Sequence, residues 1–124
     1  MRTPEQLAYR IAELLDGKKA IDIMILKVDH LTSIADYFVI ASGRSVQAVH
    51  TLYEEVSDKL MEEGIPFRRN DGVRESRWIV LDYSSVIVHI FHPEEREHYN
   101  IERLWADGTN QMPFEAAKDE ETQR

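Results

Sequence analysis

The sequence predicts a single α/β domain in which helices flank a mixed β-sheet. Apolar stripes with helical spacing and β-rich runs follow one another in the order α-β-β-α-β-β-β-α. A chain of 124 residues fits one domain, and a hydrophobic fraction of 43% is enough to form a core. Cysteine is absent, so the core holds without disulfides, and no thiolate is available for catalysis or for binding zinc.

The first part of the chain predicts one helix and two strands. Thr3 is followed by a proline and, three residues on, by a glutamine, which is typical of a helix start. Leucine and isoleucine then recur at helical spacing, and Gly17 ends the helix. Residues 20–29, AIDIMILKVD, alternate as in a strand, and residues 35–42, ADYFVIAS, are apolar enough for a central buried strand.

The second part of the chain predicts a long helix, three strands and a final helix. Ser45 is a suitable N-cap, an apolar stripe follows it, and Gly64 ends this helix. Residues 65–69, IPFRR, are a short strand candidate, and residues 77–91, RWIVLDYSSVIVHIF, predict a hairpin of two strands. The final helix begins at Pro93 and carries acidic residues in its first turn.

The predicted domain covers residues 1–108, and residues 109–124 form a flexible acidic tail, because periodicity is lost from Thr109 onward. The N-terminus lacks the continuous apolar run of a signal peptide. No stretch approaches the roughly 18 apolar residues that a membrane span requires. We therefore expect a cytoplasmic protein that does not bind a membrane.

The hairpin places different kinds of residue on its two faces. If Ser84 and Ser85 form a two-residue loop, one face is almost wholly aliphatic and must be core. On the other, mixed face the cross-strand pairs are Trp78 with Phe91, Val80 with His89, and Asp82 with Ile87. Large aromatic residues beside an acid and an imidazole are typical of a partner-binding patch. The other interpretation is a face covered by a helix, with His89 buried and hydrogen-bonded.

The charge of the chain is strongly acidic. Its formal net charge is −8, from 15 Lys and Arg against 23 Asp and Glu. Such a chain is repelled by phosphate backbones unless a local basic patch overrides the global sign. The best basic cluster, FRRNDGVRESR at residues 67–77, has Asp71 and Glu75 interleaved. We therefore expect no direct sequence-specific binding of nucleic acid and favour a basic protein partner.

The candidate catalytic and metal-binding residues do not have the spacing of any known catalytic or metal-binding motif. His89 and His92 are three residues apart, so in a regular strand they point to opposite faces and cannot share an ion. The turn ASGRS at residues 41–45 lacks the G-x-S-x-G pattern of a nucleophile elbow. Nucleotidyl transfer needs two metal-binding acids one residue apart on a strand, and no Asp-x-Asp occurs. We expect no catalytic residue, no metal site and no cofactor.

Three blocks of the sequence resemble those of a known protein family. They are ADYFVIASGRS (residues 35–45), RWIVLDYSSVIVHIF (residues 77–91) and REHYNIERLWAD (residues 96–107). Together they resemble the ribosomal silencing factor family, also called Iojap-like proteins, in order and spacing, and the similarity covers most of residues 5–107. The sequence departs from the family pattern in two places, since Ser84-Ser85 replaces the usual Gly-Asp and His98 replaces an aromatic residue, often Phe.

The resemblance implies an α/β fold related to nucleotidyltransferases but lacking their catalytic acids, in a protein that is not an enzyme. It implies binding to the fourteenth protein of the large ribosomal subunit, at the face that meets the small subunit. The resemblance further implies that occupying that face blocks subunit joining and represses translation when nutrients are scarce, and that the free protein, as often in the family, is a homodimer. The family-typical positions that we expect to bind the partner are Trp78, Asp82, His89, Phe91, Tyr99, Glu102 and Trp105.

Two other functions remain open from the sequence. A nucleotidyltransferase-like enzyme would need unusual metal ligands, because the paired acids are missing. A dimeric adaptor with a non-ribosomal partner would require the resemblance of the three blocks to be accidental. Because the resemblance includes His89 together with Trp78 and Phe91, we favour a binding face that contains this histidine.

Overall fold

Residues 2–116 are described by the structure, a computed structural model. In chain order the elements are α1 (Pro4–Gly17), β1 (Ile21–Lys27), β2 (Tyr37–Ser42), α2 (Val46–Glu62), β3 (Arg69–Asp71), β4 (Trp78–Asp82), β5 (Val86–Phe91), α3 (Pro93–Tyr99), α4 (Ile101–Trp105) and β6 (Gln111–Met112). The predicted mixed α/β domain is confirmed. None of the helices in this part of the chain is both long enough and apolar enough to cross a bilayer.

The described strands form one six-stranded sheet in the order β3-β4-β5-β2-β1-β6. The central strands β2 and β5 run parallel to each other, and every other neighbouring pair is antiparallel. Every residue of β2 and β5 is buried, as the continuous apolar run of residues 35–42 predicts. The relation to nucleotidyltransferases stays a prediction.

α1 and α2 cover one face of the sheet and enclose the larger of two hydrophobic clusters. The predicted capping box begins α1, since Thr3 and Gln6 each accept a hydrogen bond from the backbone N–H of the other. The Ser45 hydroxyl accepts from the Ala48 N–H at 3.1 Å and caps α2, also as predicted. The helix residues that fill this cluster include Ile11, Leu15, Val49, Leu52, Val56 and Leu60.

The opposite face of the sheet carries a smaller hydrophobic cluster beneath α4. Its buried members are Leu26, Val28, Ala35, Phe38, Ile40, Ile87, Phe91 and Ile101. α4 has five residues and covers only part of this face, so Trp78 and Val80 on β4 remain half-buried. This is the face on which a partner can reach side chains of the sheet.

Two predicted elements differ from the structure. The final helix, predicted as one, is divided into α3 and α4, because Asn100 adopts a left-handed conformation with φ 48° and ψ 51°. Asparagine tolerates this conformation better than most residues, but the presence of an asparagine does not by itself predict it. The short strand predicted at residues 65–69 lies further along the chain, at Arg69–Asp71, and all of its side chains are exposed.

The flexible tail predicted from Thr109 onward is wrong for its first residues. β6 pairs antiparallel with β1. The buried Asn110 amide donates to the carbonyl oxygens of Lys27 at 2.9 Å and Trp105 at 2.8 Å. These bonds from a side chain to the backbone hold a strand that is too short to show an alternating pattern. Residues 117–124 of the predicted tail lie outside the described residues.

Candidate functional site

The hairpin of β4 and β5 has the predicted register. The paired residues are Trp78 with Phe91, Val80 with His89, and Asp82 with Ile87. Ser84 and Ser85 form the loop, since the Tyr83 N–H donates to the Val86 carbonyl oxygen at 2.9 Å. Ser84 has a φ of 71°, a conformation that favours glycine, and Asp82 Oδ1 accepts from its N–H at 2.8 Å. The Asp82 side chain thus holds a tight turn that contains no glycine.

One face of the hairpin is core, as predicted. Its residues Ile79, Leu81, Tyr83, Val86, Val88 and Ile90 all belong to the cluster enclosed by α1 and α2. Burial raises the pKa of the Tyr83 hydroxyl well above its ordinary value of 10.0, so the phenol stays neutral. This face is unavailable to a partner.

The mixed face carries a run of aromatic rings. The Trp78 ring stacks on Phe91 with centroids 4.8 Å apart, and the Tyr99 ring lies 4.9 Å from Trp78. Trp105 packs edge-on against Phe38 at 5.1 Å. Phe91 and Phe38 are buried, Trp78 and Trp105 are half-buried, and Tyr99 is 48% exposed. We call Trp78, Tyr99 and Trp105 the aromatic surface.

His89 lies beneath the aromatic surface, with an exposed fraction of 9%. Trp78 Nε1–H donates to His89 Nδ1 at 3.1 Å, so the proton of the neutral imidazole is on Nε2. Nε2 has no hydrogen-bond partner among residues 2–116. Burial lowers the pKa of the His89 imidazole from 6.5 to about 4. The geometry favours the buried, hydrogen-bonded histidine over one that touches a partner directly.

Two predicted contact residues are acids that are engaged within the chain. Asp82 Oδ2 accepts from Arg69 Nε at 3.2 Å, in addition to holding the turn. The two carboxylate oxygens of Glu102 accept from Arg96 Nε at 3.2 and 3.3 Å. The predicted contact residues thus divide into an accessible group, Trp78, Tyr99 and Trp105, and a group with partners or packing inside the fold, Asp82, His89, Phe91 and Glu102.

Arg96 fixes the corner between α3 and α4. Its buried guanidinium donates from Nη1 to Ser42 Oγ at 2.9 Å and pairs with Glu102. Because these bonds join the end of β2 to both short helices, they set the positions of Tyr99 and Trp105 on the sheet. No pattern in the sequence indicates this role. Glu102 lies six positions after Arg96, which is not the spacing of a pair on one helix, and only the break at the corner brings them together.

Exposed aliphatic side chains lie in the segments next to the aromatic surface. Leu104 on α4 is 76% exposed, and Ile34 in the β1–β2 loop is 61% exposed. The loop is tied to the segment after α4 by a 2.8 Å hydrogen bond between His30 Nε2 and Asp107 Oδ2. The exposure of Ile34 was not predictable from the sequence, because a loop has no periodicity that assigns a side chain to the surface. The available signal is one large apolar residue in a stretch of small and polar residues, TSIAD at residues 32–36.

The glycine-serine turn before α2 serves packing. A Cβ atom on Gly43 would lie 2.8 Å from the Val49 backbone nitrogen, so glycine allows α2 to approach this turn closely. The serine that follows, Ser45, caps α2. Arg44 Nη1 donates to the Lys19 carbonyl oxygen at 3.2 Å. Each group in the turn therefore has a structural partner.

His92 begins α3 and takes part in its cap. Its Nδ1 accepts from the Glu94 N–H at 3.2 Å, whereas Nδ1 of His89 accepts from Trp78. The two imidazoles therefore serve different elements. Within residues 2–116, His, Asp and Glu side chains form no group of three that could hold a metal ion.

Comparison with known proteins gives consistent matches along the chain. The family described as "Ribosomal silencing factor during starvation" matches residues 1–124. A Bacillus subtilis protein named "Ribosomal silencing factor RsfS" is 40% identical over 96 residues, which are 77% of this chain and 81% of that protein. The mouse protein named "Mitochondrial assembly of ribosomal large subunit protein 1" is 31% identical over 98 residues, 77% of this chain and 43% of its own length.

A solved structure matches the fold. The crystal structure of a protein from Chromobacterium violaceum has a TM-score of 0.83 and 30% identity, covering 94% of this chain and 98% of that one. The family match spans the hairpin, the corner of α3 and α4, and the aromatic surface between them. The chain belongs to the ribosomal silencing factor family.

Proposed function

We propose that this protein silences ribosomes by binding the large ribosomal subunit through its fourteenth protein. Bound at the face that meets the small subunit, it blocks association of the subunits and represses translation when nutrients are limiting. It acts in the cytoplasm, without catalysis and without a cofactor. Membership of the ribosomal silencing factor family supports the proposal, and so does the mouse relative, whose name refers to the large ribosomal subunit.

The observation that carries the proposal is the apolar surface left accessible on α3, α4 and the β1–β2 loop, the segments next to the aromatic surface. Five large hydrophobic side chains are exposed within residues 2–116, and four of them lie in the β1–β2 loop or on α3 and α4. The four are Leu31, Ile34, Tyr99 and Leu104. Apolar surface concentrated in neighbouring segments is typical of a protein-binding site, and tryptophan and tyrosine often dominate the binding energy.

The charge of the chain supports a protein partner on the ribosome. At a net charge of −8, the chain is attracted to basic proteins and repelled by exposed RNA phosphates. This combination favours docking on a basic ribosomal protein and disfavours nonspecific binding to the surrounding RNA. We expect binding to weaken as the salt concentration rises, because part of the attraction is between surface charges.

We extend the proposal to the free protein, which forms a homodimer. An exposed apolar surface is unfavourable in water, and a second copy of the chain can cover it. Light scattering of the purified protein tests this, with Leu104→Glu as the variant that should lower the average mass. A mass of one chain at every concentration would show that the free protein is a monomer.

The experiment that tests the ribosomal role is sedimentation of the purified protein with isolated large subunits and, separately, with isolated small subunits. We expect recovery in the pellet with large subunits only. Equal recovery with both, or recovery with neither, would contradict the ribosomal role. Recovery with neither would favour the alternative of a dimeric adaptor for a non-ribosomal partner.

Two neighbouring residues of β4 provide a matched pair of variants for the binding face. Trp78→Ala should weaken binding to large subunits by about 2 kcal/mol or more, because it removes the centre of the aromatic surface. Ile79→Ala should lower the free energy of unfolding by about 2–5 kcal/mol and spare binding by the folded fraction, because Ile79 is fully buried on the other face. Normal binding by Trp78→Ala, with a large loss of stability, would show that the face is wrongly assigned.

The enzymatic alternative has a direct test. With nucleoside triphosphates and magnesium or manganese, we expect no release of pyrophosphate, since the sequence lacks the paired strand acids that hold the metal ions. Metal-dependent release by pure protein, abolished by substitution of an identified acid, would establish the nucleotidyltransferase-like enzyme instead.

A further inference from the structure

A groove at the β3 edge of the mixed face is left open by the helices. Its volume is about 360 Å³. The lining residues are Arg69, Asn70, Asp71, Val80, Asp82 and Ile87. The groove adjoins the aromatic surface, because Val80 is the cross-strand partner of His89, whose imidazole bonds to Trp78. A partner held on the aromatic surface therefore also reaches the groove.

The strand register places two carboxylates beside an apolar floor. Asp71 lies directly opposite Val80, while Asp82 lies opposite Arg69 on one side and Ile87 on the other. Residues directly opposite each other in antiparallel strands point to the same face of the sheet. Both acids therefore lie on the face of the sheet that carries the groove, and Val80 and Ile87 form the aliphatic floor of the groove.

The cation that pairs with Asp82 is weakly held. Arg69 reaches Asp82 Oδ2 through Nε at 3.2 Å, and the Arg69 side chain is 76% exposed. The Asp82 side chain is only 11% exposed and needs a cation beside it, whereas the exposed Arg69 reaches it through one contact, so another cation can take the place of Arg69. Asp71, which is also exposed, has no ion-pair partner within residues 2–116. The mouth of the groove thus carries an excess of negative charge.

We propose that the groove receives an arginine or lysine side chain of the protein partner, and that its cationic group replaces Arg69 at Asp82. The aliphatic stem of such a side chain lies on Val80 and Ile87, and its charged end lies between Asp71 and Asp82. The inference rests on the proposed function, because the partner is held in place by the neighbouring aromatic surface.

The charges of the groove discriminate among ligands. Its carboxylates repel phosphate groups, and the net charge of −8 adds to this repulsion, so RNA is disfavoured. An uncharged side chain that displaced Arg69 would leave the buried Asp82 carboxylate without a positive partner. A basic protein offers the complementary charge together with an aliphatic stem that fits the floor.

Binding of the full chain to isolated large subunits, measured as a dissociation constant at several salt concentrations, tests the inference. Arg69→Ala removes the competitor for Asp82, and we expect it to tighten binding about threefold. Asp82→Asn removes the charge but keeps an oxygen that can accept from the Ser84 N–H, and we expect about tenfold weaker binding. Asp71→Asn should weaken binding about threefold, by an amount that shrinks as salt rises.

Two controls separate the effect of the groove on binding from the effects of overall charge and of folding. Glu62→Gln removes the same charge from an exposed position on α2, across the sheet from the groove, and should leave binding unchanged. In the Asp82→Asn background, Arg69→Ala should no longer tighten binding, because the site of competition is gone. Unfolding midpoints measured on the same samples establish that each variant is folded.

The possible outcomes separate this inference from the function on which it rests. Tighter binding by Arg69→Ala and weaker binding by both Asp variants would support the groove. Weaker binding by Arg69→Ala would mean that Arg69 itself contacts the partner, and the inference would be overturned. Unchanged binding by all three variants would overturn the inference alone. If the wild-type chain fails to bind large subunits, the proposed function is contradicted, and so is the inference that rests on it.

Discussion

The buried His89 imidazole should make the stability of the protein depend on pH in a defined interval. Burial lowers its folded-state pKa from 6.5 to about 4, so the unfolded chain binds the proton more tightly. The contribution of neutral His89 to stability is fully present above pH 6.5 and is lost progressively as the pH falls towards 4. Each pH unit in this interval corresponds to about 1.4 kcal/mol, so the whole interval corresponds to about 3 kcal/mol. Protonation must also break the hydrogen bond that Nδ1 accepts from Trp78.

The assay is urea unfolding of the wild type and His89→Asn at pH 7, 6, 5 and 4. Asparagine offers an oxygen to Trp78 Nε1 but does not titrate, and the titrations that both proteins share cancel in their difference. We expect the wild type to lose about 3 kcal/mol more than the variant between pH 7 and pH 4. His30→Asn is a control in which the pH dependence of stability should have the opposite sign. The hydrogen bond to Asp107 raises the pKa of His30, so protonated His30 stabilises the folded state at low pH and this contribution is lost as the pH rises. Parallel curves for the wild type and His89→Asn would refute burial as the cause.

Three further substitutions test the local geometry. Gly72→Ala should destabilise the protein by more than about 1 kcal/mol in urea unfolding, because Gly72 has a φ of 82° and a Cβ atom there would overlap the Trp78 carbonyl oxygen. Ser45→Ala should cost about 1 kcal/mol in the same assay, since it removes the N-cap of α2. Arg96→Lys should speed hydrogen exchange in α4 while exchange in β2 and β5 stays slow, because lysine cannot keep the bonds to Ser42 and to Glu102 together.

Sequence periodicity specified the hairpin well because alternation fixes the faces of a strand and a two-residue loop fixes its register. The helix starts at Thr3 and Ser45 were predictable for a similar reason, since each depends on a side chain close in sequence to the N–H that it caps. The break at Asn100 and the strand β6 were not predictable in this way. β6 depends on contacts between distant residues, such as Asn110 with Lys27, which leave no local pattern. The break depends on the left-handed conformation of Asn100, which the residue type allows but does not require.

The candidate site shows the same limit at the level of side chains. Alternation correctly placed Trp78, His89 and Phe91 on one face, but it does not say what covers that face. The stacking of Trp78 and the helices at the α3–α4 corner bury His89 and Phe91 and leave Tyr99 exposed. The groove beside them was likewise beyond the sequence, because it depends on the exact position of β3, which composition placed several residues too early.

The two ends of the sheet limit how copies of this chain can join. At one end, β3 exposes the polar side chains of Arg69, Asn70 and Asp71, and at the other, the short strand β6 lies along β1. Edge strands that are short or rich in charge are poor templates for a strand from another molecule. In the proposed homodimer we therefore expect contact through side-chain surfaces and not through strands added to the sheet edges. Contacts between side-chain surfaces can be exchanged for contacts with another protein, and they present no backbone template to which further strands could add.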